Sequence, residues 1–573
     1  MYSPRPTDPP GERNPGVSLS NELFLGTLRW DLLHPFPTQD DADRRVGDEH
    51  VIELTEHLRA NVDPTQVDTS RELPAELVEV LRAKGYLRLL VDRKDGGLGL
   101  SPYNAFRLIE TAASWSIPVA NVMSTGNGWG AGAYLRMLPE GPLREVIREH
   151  VVEGNFSGRA DTEPAGAGNS RQNTTATPAE GGDAYLLNGE KVFIGNGTVA
   201  DLLDVTATVV DDGVPSSASF FVDTTTPGLE VVTRQDFMGL GGAPIANLML
   251  TDVRVPRSLM LSGAELDGFG RGVKEFIYLA RTLGVVPPSL AIAKLCLAWQ
   301  REFVNRRRVD DRPLAAYEAI ERAVALSVAD TFAIESFTRW TMLGRGADLL
   351  HEHAALKNIA SLTCWRVLDR TVGLLGGEGL ETAASKARRG TTPLPVERFY
   401  RDARGLRVLG GVDFLVDYLA GRIRLTDCYY DRTYTPVPGD ALVAARRAVA
   451  EYDAEHVEFV TEQAARLGRE CRKLTQRHLD REDLFARQHA VITLNRIANE
   501  LLTMASVLAR SAAGDDEPAL ASVYCADARP RLVELWAQLD AGGQDHADVT
   551  ARWLDGRGYE TLLGDAVTAL PDR

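Results

Sequence analysis

The sequence predicts a mostly helical protein with a β domain in the middle of the chain, and three observations carry that expectation. Over residues from about 45 to 150, Leu, Val and Ile recur three and four apart, as in HVIELTEHLRANV and PAELVEVLRAKGYLRLL, the period of a helix buried along one face. From about 155 to 255 the texture changes to β-branched residues, Asn-Gly pairs and regularly spaced turn signals, as in AYLLNGEKVFIGNG and ASFFVDTTTPGLEVV. Alternation bounded by such turns reads as antiparallel strands. Helical patterns return from about 266 to 427 and again from about 440 to 565.

In chain order, residues 1–44 are expected to form a partly disordered leader. Its start, MYSPRPTDPPGERNPG, is Pro-rich and charged and has no apolar stretch of the signal-peptide kind. Residues 45–154 should make an N-terminal helical domain, 155–265 the middle β domain and 266–428 a second helical domain. Within that domain VNRRRVDDRP reads as a loop between two helices. Residues 429–573 form a helical extension whose opening, AARRAVAEYDAEHVEFVTEQAARLGRECRKL, is alanine-rich and amphipathic. Such helices pack into a bundle or onto the main body. A chain of 573 residues exceeds what one core supports, so several domains are expected on size alone.

Bulk properties exclude some functions. A net charge of −17 argues against an extended nucleic-acid surface, although a phosphate-bearing cofactor needs only a few arginines. The five cysteines are scattered without a C-x-x-C pair, the usage of buried apolar fillers in a reducing compartment. The longest uncharged run, Thr111 to Leu135, is too rich in Ser, Asn, Thr and Gly to cross a bilayer. A cytoplasmic location is expected.

Residues 397–416, ERFYRDARGLRVLGGVDFLV, pose the sharpest question. Arg398, Arg401, Arg404 and Arg407 recur at helical spacing and run into Gly410-Gly411, which leaves a gap in side chains where something else can approach. The plainer reading is that Arg401, Asp402 and Arg404 tie a helix to its neighbours and that the two glycines only start the next one. His351 and His353 in LLHEHAALKN face different sides of a helix, so no metal site is expected there.

Several motifs together resemble the acyl-CoA dehydrogenase family. ADTEPAGAGN and YLLNGEKVFIGNG are similar to its TEP-x-x-GSD turn and LNG-x-K-x-W-I-(T/S)-NG hairpin. The likeness continues in GFGRGVKEFIYLAR, LLGGEGL and VERFYRDAR. NELFLGTLRWDLLHPFP near the start and ARQHAVITLNRIANELLTMASVLARSAAG in the extension look like the very-long-chain branch. The resemblance implies a helical domain, a β-barrel-like domain and a four-helix bundle, plus the C-terminal extension. It also implies FAD between the β domain and the third domain, with an acyl thioester against the flavin. In such enzymes a glutamate removes the α-proton while a hydride leaves the β-carbon for the flavin. An α-C–H beside a thioester is a weak acid, so the step needs a positioned carboxylate and hydrogen bonds to the carbonyl.

Carried over residue by residue, the resemblance puts Gly410 where most members have that glutamate, with Gly411 as the family glycine and Val412 for its threonine. The minority position falls on Ala280, just before Arg281, a residue assigned to substrate binding. Neither Gly410 nor Ala280 can take a proton, so the catalytic glutamate is missing from both positions. Glu275, Glu378 and Asp413 are the candidates for a displaced base. Toward FAD, the resemblance implies Thr162, Gly168 in place of a serine, Phe193 in place of a tryptophan, Gly195 in place of a threonine, and Gly376, Gly377 and Gly411. An arginine for the pyrophosphate is Arg306 or Arg307. Asn169 replaces the aspartate of the turn, Val309 an aromatic, and Gly373 a glutamine.

Three functions fit these residues. The first is an FAD-dependent oxidoreductase for a CoA- or carrier-protein-linked acyl thioester, with a non-standard acid/base arrangement. The second is a redox-inactive subunit that completes a site shared with an unlike chain of the same fold. The third is a flavin-free thioester-binding or non-redox enzyme. The first and third suit a homodimer and the second a hetero-oligomer; membrane docking has little support, since no strongly basic apolar helix stands out in the extension.

Overall fold

The computed structural model describes residues 16–565 except 167, 168, 170, 212, 213, 345, 346, 437, 515–517 and 541–545. Residues 1–15, the Pro-rich start of the expected leader, and Gly168 lie outside the described residues. Helices precede and follow one sheet, as the hydrophobic periods predict.

The N-terminal helices are set by their caps. Asp40 accepts from the amides of Ala42 and Asp43 to start Asp41–Asn61, and Ser101 accepts from Asn104 to start Pro102–Trp115. The second of these buries Phe106, Leu108, Ile109, Ala112 and Ala113 against the long helix Arg271–Arg306. The leader continues this body: Leu19–Leu25 forms a helix whose Leu19, Leu23 and Phe24 are fully buried.

The β domain is one mixed sheet of eight strands. They are β1 (Ser157–Ala160), β2 (Thr175–Pro178), β3 (Ala184–Ile194), β4 (Leu202–Asp211), β5 (Val214–Asp223), β6 (Leu229–Arg234), β7 (Ala246–Pro256) and β8 (Met260–Ser262). The order is β6-β7-β3-β2-β4-β5-β8, with β1 parallel to β4. Tyr185 and Leu187 of β3 lie opposite Val255 and Val253 of β7, and all four point into a core with Leu203, Val205 and Phe220. This core is separate from that of the helices.

The long helix Arg271–Arg306 is the axis of the second helical domain. It packs against Glu318–Leu343 and Leu350–Leu375 as well as Pro102–Trp115, and it buries Leu283, Val285, Val286, Leu290 and Ile292. It is long and apolar enough to cross a membrane, but 72% of its apolar window is buried among these neighbours. The segment expected as a loop after it carries a two-residue hairpin, Arg308–Val309 with Arg312–Pro313.

The extension is built into the body. Helix Gln488–Ala512 lies between Asp413–Leu425 and Glu318–Leu343 and is buried along most of its length. Arg424, fully buried, ties three parts of the chain together. Its guanidinium donates to Ser20 Oγ at 2.5 Å, Asn495 Oδ1 at 2.7 Å and the His351 carbonyl at 3.0 Å. A buried charge is tolerated when its donors are satisfied in this way, and one side chain thereby fixes leader, extension and second helical domain.

Candidate functional site

The two positions read as vacated glutamates lie in different surroundings. Helix Val396–Leu406 ends at Arg407, and the chain turns through Gly410 at φ 66° and Gly411 at φ 107°, both left-handed and suited to glycine. The turn is held from beneath. Lys357 Nζ donates to the carbonyls of Arg407 at 3.1 Å and Gly411 at 2.7 Å, and Asn358 Nδ2 donates to the Asp413 carbonyl at 2.8 Å. Lys357 is fully buried, and burial pulls its pKa down to about 8. A Cβ on Gly410 would lie 3.3 Å from Arg281 Cγ, so the structure brings Gly410 and Arg281 face to face.

Ala280 is closed off. It is fully buried against the one-turn π-helical segment Thr125–Trp129, where a Cβ on Gly128 would come within 2.9 Å of Ala280 Cα. The same segment meets the β domain, since a Cβ on Gly195 would lie 3.4 Å from Thr125 Oγ1. Single π turns of this kind often sit at functional sites.

Arg281 has no ion pair or hydrogen bond among the described residues, and its Nε is shut from solvent without a partner. Burial pulls its pKa down, against the weaker opposing effects of Tyr278 and Asp161. The Tyr278 ring centre lies 5.8 Å from the guanidinium carbon.

The three candidate replacement bases are all engaged. Asp413 Oδ2 accepts from Arg407 Nε at 2.9 Å and Nη2 at 2.5 Å, and its Oδ1 accepts from the Phe414 amide. Burial alone would raise its pKa, but Arg407 outweighs that and holds it below the usual carboxylate range. Glu378 pairs with Arg306 and Arg389, and the largest influence on it, the Arg306 hydrogen bond, lowers its pKa. Glu275 is exposed and pairs with Arg271 at 2.7 Å. Asp413 and Glu378, stabilised as anions by their arginines, are poor proton acceptors.

On the β-domain side, Thr162 accepts from the Val192 amide through its carbonyl, while its hydroxyl makes no hydrogen bond among the described residues. Phe193 is 57% exposed at φ 61°, with its amide donating to Gln235 Oε1 and its ring 5.8 Å from that of Phe237. The turn after Thr162 is anchored by a buried ion pair, Lys191 Nζ to Glu163 Oε1 at 2.9 Å. Glu163 is also held by the amides of Asn173 and Thr174. Burial raises its pKa, but these hydrogen bonds outweigh that and bring it down to about 2.

At the far end, Gly376 and Gly377 are exposed, and a Cβ on either would meet no atom within 4 Å. The Arg306–Glu378 ion pair sets this turn beside the end of the long helix. Arg306 is thereby tied to Glu378 as well as to Glu302, whereas exposed Arg307 has no ion pair among the described residues. An open glycine turn after Leu350–Leu375, beside a guanidinium without an ion pair among the described residues at the end of Arg271–Arg306, suits a phosphate through the arginine. A free threonine hydroxyl, an exposed aromatic and a bare Gly195 suit a flat ring, so the residues present fit FAD.

Arg401 pairs with Asp68 at 2.6 Å, and Asp402 accepts from the Leu240 amide at 2.6 Å. Arg401 and Asp402 thus tie this helix to its neighbours, whereas Arg404 is exposed and has no ion pair among the described residues. His353 Nδ1 lies 3.1 Å from Thr282 Oγ1 and His351 faces Asp427. Among the described residues no cluster of His, Cys, Asp and Glu could hold a metal. Sequence reading missed Lys357; its signal was a lone lysine among the small and apolar residues of HAALKNIAS.

Two family models match the chain: "Acyl-CoA dehydrogenase, middle domain" over residues 159–253 and "Acyl-CoA dehydrogenase, C-terminal domain" over 271–414. Among curated proteins, the probable acyl-CoA dehydrogenase FadE10 of Mycobacterium tuberculosis is 30% identical over 412 residues, 71% of this chain and 63% of that protein. The chain thus spans just under two thirds of the length of these mycobacterial relatives. The 3-sulfinopropanoyl-CoA desulfinase of Advenella mimigardefordensis is 28% identical, covering 64% of this chain and 90% of that protein. Among solved structures, an acyl-CoA dehydrogenase complexed with FAD from Bacillus anthracis aligns with a TM-score of 0.72 at 17% identity. It covers 94% of this chain and 95% of its own, so the likeness of fold includes the extension. Butyryl-CoA dehydrogenase from Megasphaera elsdenii aligns at 0.58 and 24% identity over 68% of this chain and 99% of its own.

Proposed function

Because this chain belongs to the acyl-CoA dehydrogenase family, we propose that it binds an acyl thioester beside FAD without a carboxylate base at position 410 or 280. The thioester is carried on CoA or on a carrier protein. The observation that carries this reading is the turn at Gly410, which presents bare backbone to Arg281 and is held there by Lys357. Thr162, Phe193 and Gly195 would hold the flavin ring, and Gly376, Gly377, Arg307 and the paired Arg306 the pyrophosphate, with Gly411 on the thioester side. FAD, when bound, supplies a hydride acceptor.

The chain's own residues favour negative charge at this corner. Arg281 is a fixed cation with no counter-ion among the described residues, and Lys357 is a second cation whose pKa Arg281 helps to lower. Such a field stabilises an anion formed next to a thioester carbonyl, but Arg281 donates and cannot accept a proton. The arrangement therefore suits chemistry in which the α-proton is not taken by a residue at 410 or 280. The desulfinase relatives, named for a reaction on 3-sulfinopropanoyl-CoA, support a role other than ordinary fatty acyl dehydrogenation. A homodimer, or an assembly with an unlike chain of the same fold, would complete the flavin site.

A second reading, thioester binding without flavin, is favoured by one observation, the engagement of Arg306 by Glu378. The visible spectrum of the purified full chain, before and after incubation with FAD and then with acyl thioesters, separates the two. Bound flavin near one per chain, perturbed by a thioester, supports the first. Thioester binding by a protein that cannot be loaded with flavin supports the second, and the absence of thioester binding overturns both.

A further inference from the structure

We infer that Arg281 selects a thioester whose acyl group carries its own anion, a carboxylate or a sulfinate, which occupies the space left bare at Gly410. This rests on the thioester reading above.

The first strand of support is charge balance. A guanidinium whose Nε is sealed from water ordinarily has a carboxylate or carbonyl against it, because burying an unpaired charge is costly. Several of the arginines here obey that rule. Arg424 is satisfied by Ser20, Asn495 and the His351 carbonyl, Arg144 by Asp95 at 3.1 Å, and Arg159 by Asp204 at 2.8 Å. Arg281, like Arg234 and buried Arg398, has no side-chain hydrogen bond or ion pair among the described residues, and of the three it is the one that borders the bare backbone at Gly410.

The second strand is that no nearby acid is free to turn toward it. Asp413, the nearest carboxylate in sequence to the turn, is locked onto Arg407. Asp161, which acts on Arg281 only at a distance, accepts from Thr206 Oγ1 at 2.8 Å and lies near Arg159. Lys357 adds positive charge from below and is itself committed to two carbonyls. The corner therefore carries a positive field, and a planar, bidentate anion matches a guanidinium best.

The test is equilibrium binding to the intact protein, which needs no turnover. Succinyl-CoA is compared with its methyl monoester, nearly the same size but without the terminal charge, and with butyryl-CoA. The inference predicts that succinyl-CoA binds at least about tenfold tighter than either neutral thioester, a preference worth about 1.4 kcal/mol. Arg281→Gln should bring the affinities of the three to within about twofold of one another. Gly410→Glu, which supplies an internal carboxylate, should remove the preference in the same way. Equal binding of the charged and neutral thioesters by the unaltered protein overturns the inference and leaves the thioester reading standing. If none of the three binds, the thioester reading itself fails. The wild-type comparison decides the matter even if Arg281→Gln does not fold.

Discussion

The ammonium of Lys357 reaches the carbonyl of Gly411 at 2.7 Å from beneath, and through the Arg407 carbonyl it holds the other end of the same turn. The presentation of Gly410 to Arg281 thus depends on a side chain 53 positions earlier in the sequence, on the helix Leu350–Leu375.

Lys357→Met is expected to leave two main-chain oxygens without their donor at a buried site, costing about 1–3 kcal/mol. The gap should depend on pH in a definite sense. Lys357 has a folded pKa near 8, below the usual lysine value of 10.5, so between those values the unfolded chain binds more protons and this group's contribution to stability rises with pH. Denaturant unfolding of both proteins at pH 7.5 and pH 10 should show the variant falling further behind at the higher pH.

Gly410→Glu and Ala280→Glu should behave differently although both restore a carboxylate. The first must adopt φ near 66° with its Cβ against Arg281 Cγ, a strain of about 1–3 kcal/mol that pairing with Arg281 partly offsets. The second places a carboxylate at a fully buried methyl packed on Gly128 and should cost about 3 kcal/mol or more. Thermal unfolding checks the order. Assayed with FAD, Gly410→Glu should gain α,β-dehydrogenation of an acyl-CoA; a stable variant with no gain would mark the site as remodelled.

Lys191→Met strands Glu163 in the β domain. Removing one partner of a buried pair costs about 3–5 kcal/mol, and here it also loosens the turn after Thr162, since Lys191 Nζ contacts Glu163, Gln172 and the Asp161 carbonyl. Flavin loading should weaken together with stability, read by denaturation and by the visible spectrum. Undiminished loading in a destabilised variant would separate that turn from the flavin site.

Glu352→Gln tests how the leader docks. Glu352 Oε1 accepts from Ser18 Oγ at 3.1 Å and the Ser20 amide at 2.7 Å, and burial pushes its pKa up to about 7. The folded state then binds the extra proton between the unfolded value of 4.5 and about 7, so the wild type loses stability as pH rises across that window. Glutamine keeps the acceptor and cannot ionise. The variant should gain on the wild type by on the order of 2–4 kcal/mol between pH 5 and pH 8, measured by denaturant midpoints.

Local pattern made much of this molecule legible in its sequence. Period-3.6 stretches became helices because burying one face of a helix is a local consequence of composition. Strand β3 follows from alternation, with Tyr185 and Leu187 inward, although Asn188-Gly189, a turn signal in the sequence, lies inside it. Gly376, Gly377, Gly410 and Gly411 were recognisable as backbone openings, and Gly376, Gly410 and Gly411 do adopt left-handed geometry. The engagement of Asp413 by Arg407, of Glu378 by Arg306 and of the turn by Lys357 was not legible, because each depends on side chains meeting at the ends of elements whose relative placement no short window encodes.

By itself the sequence determined the order of helical and β segments and that residues 410 and 280 bear no carboxylate, since both are properties of residue type along the chain. Only the tertiary structure decided that Arg281 stands opposite Gly410 with no counter-ion among the described residues. Electrostatic satisfaction is a sum over neighbours in space, and those neighbours come from four separate stretches of the chain.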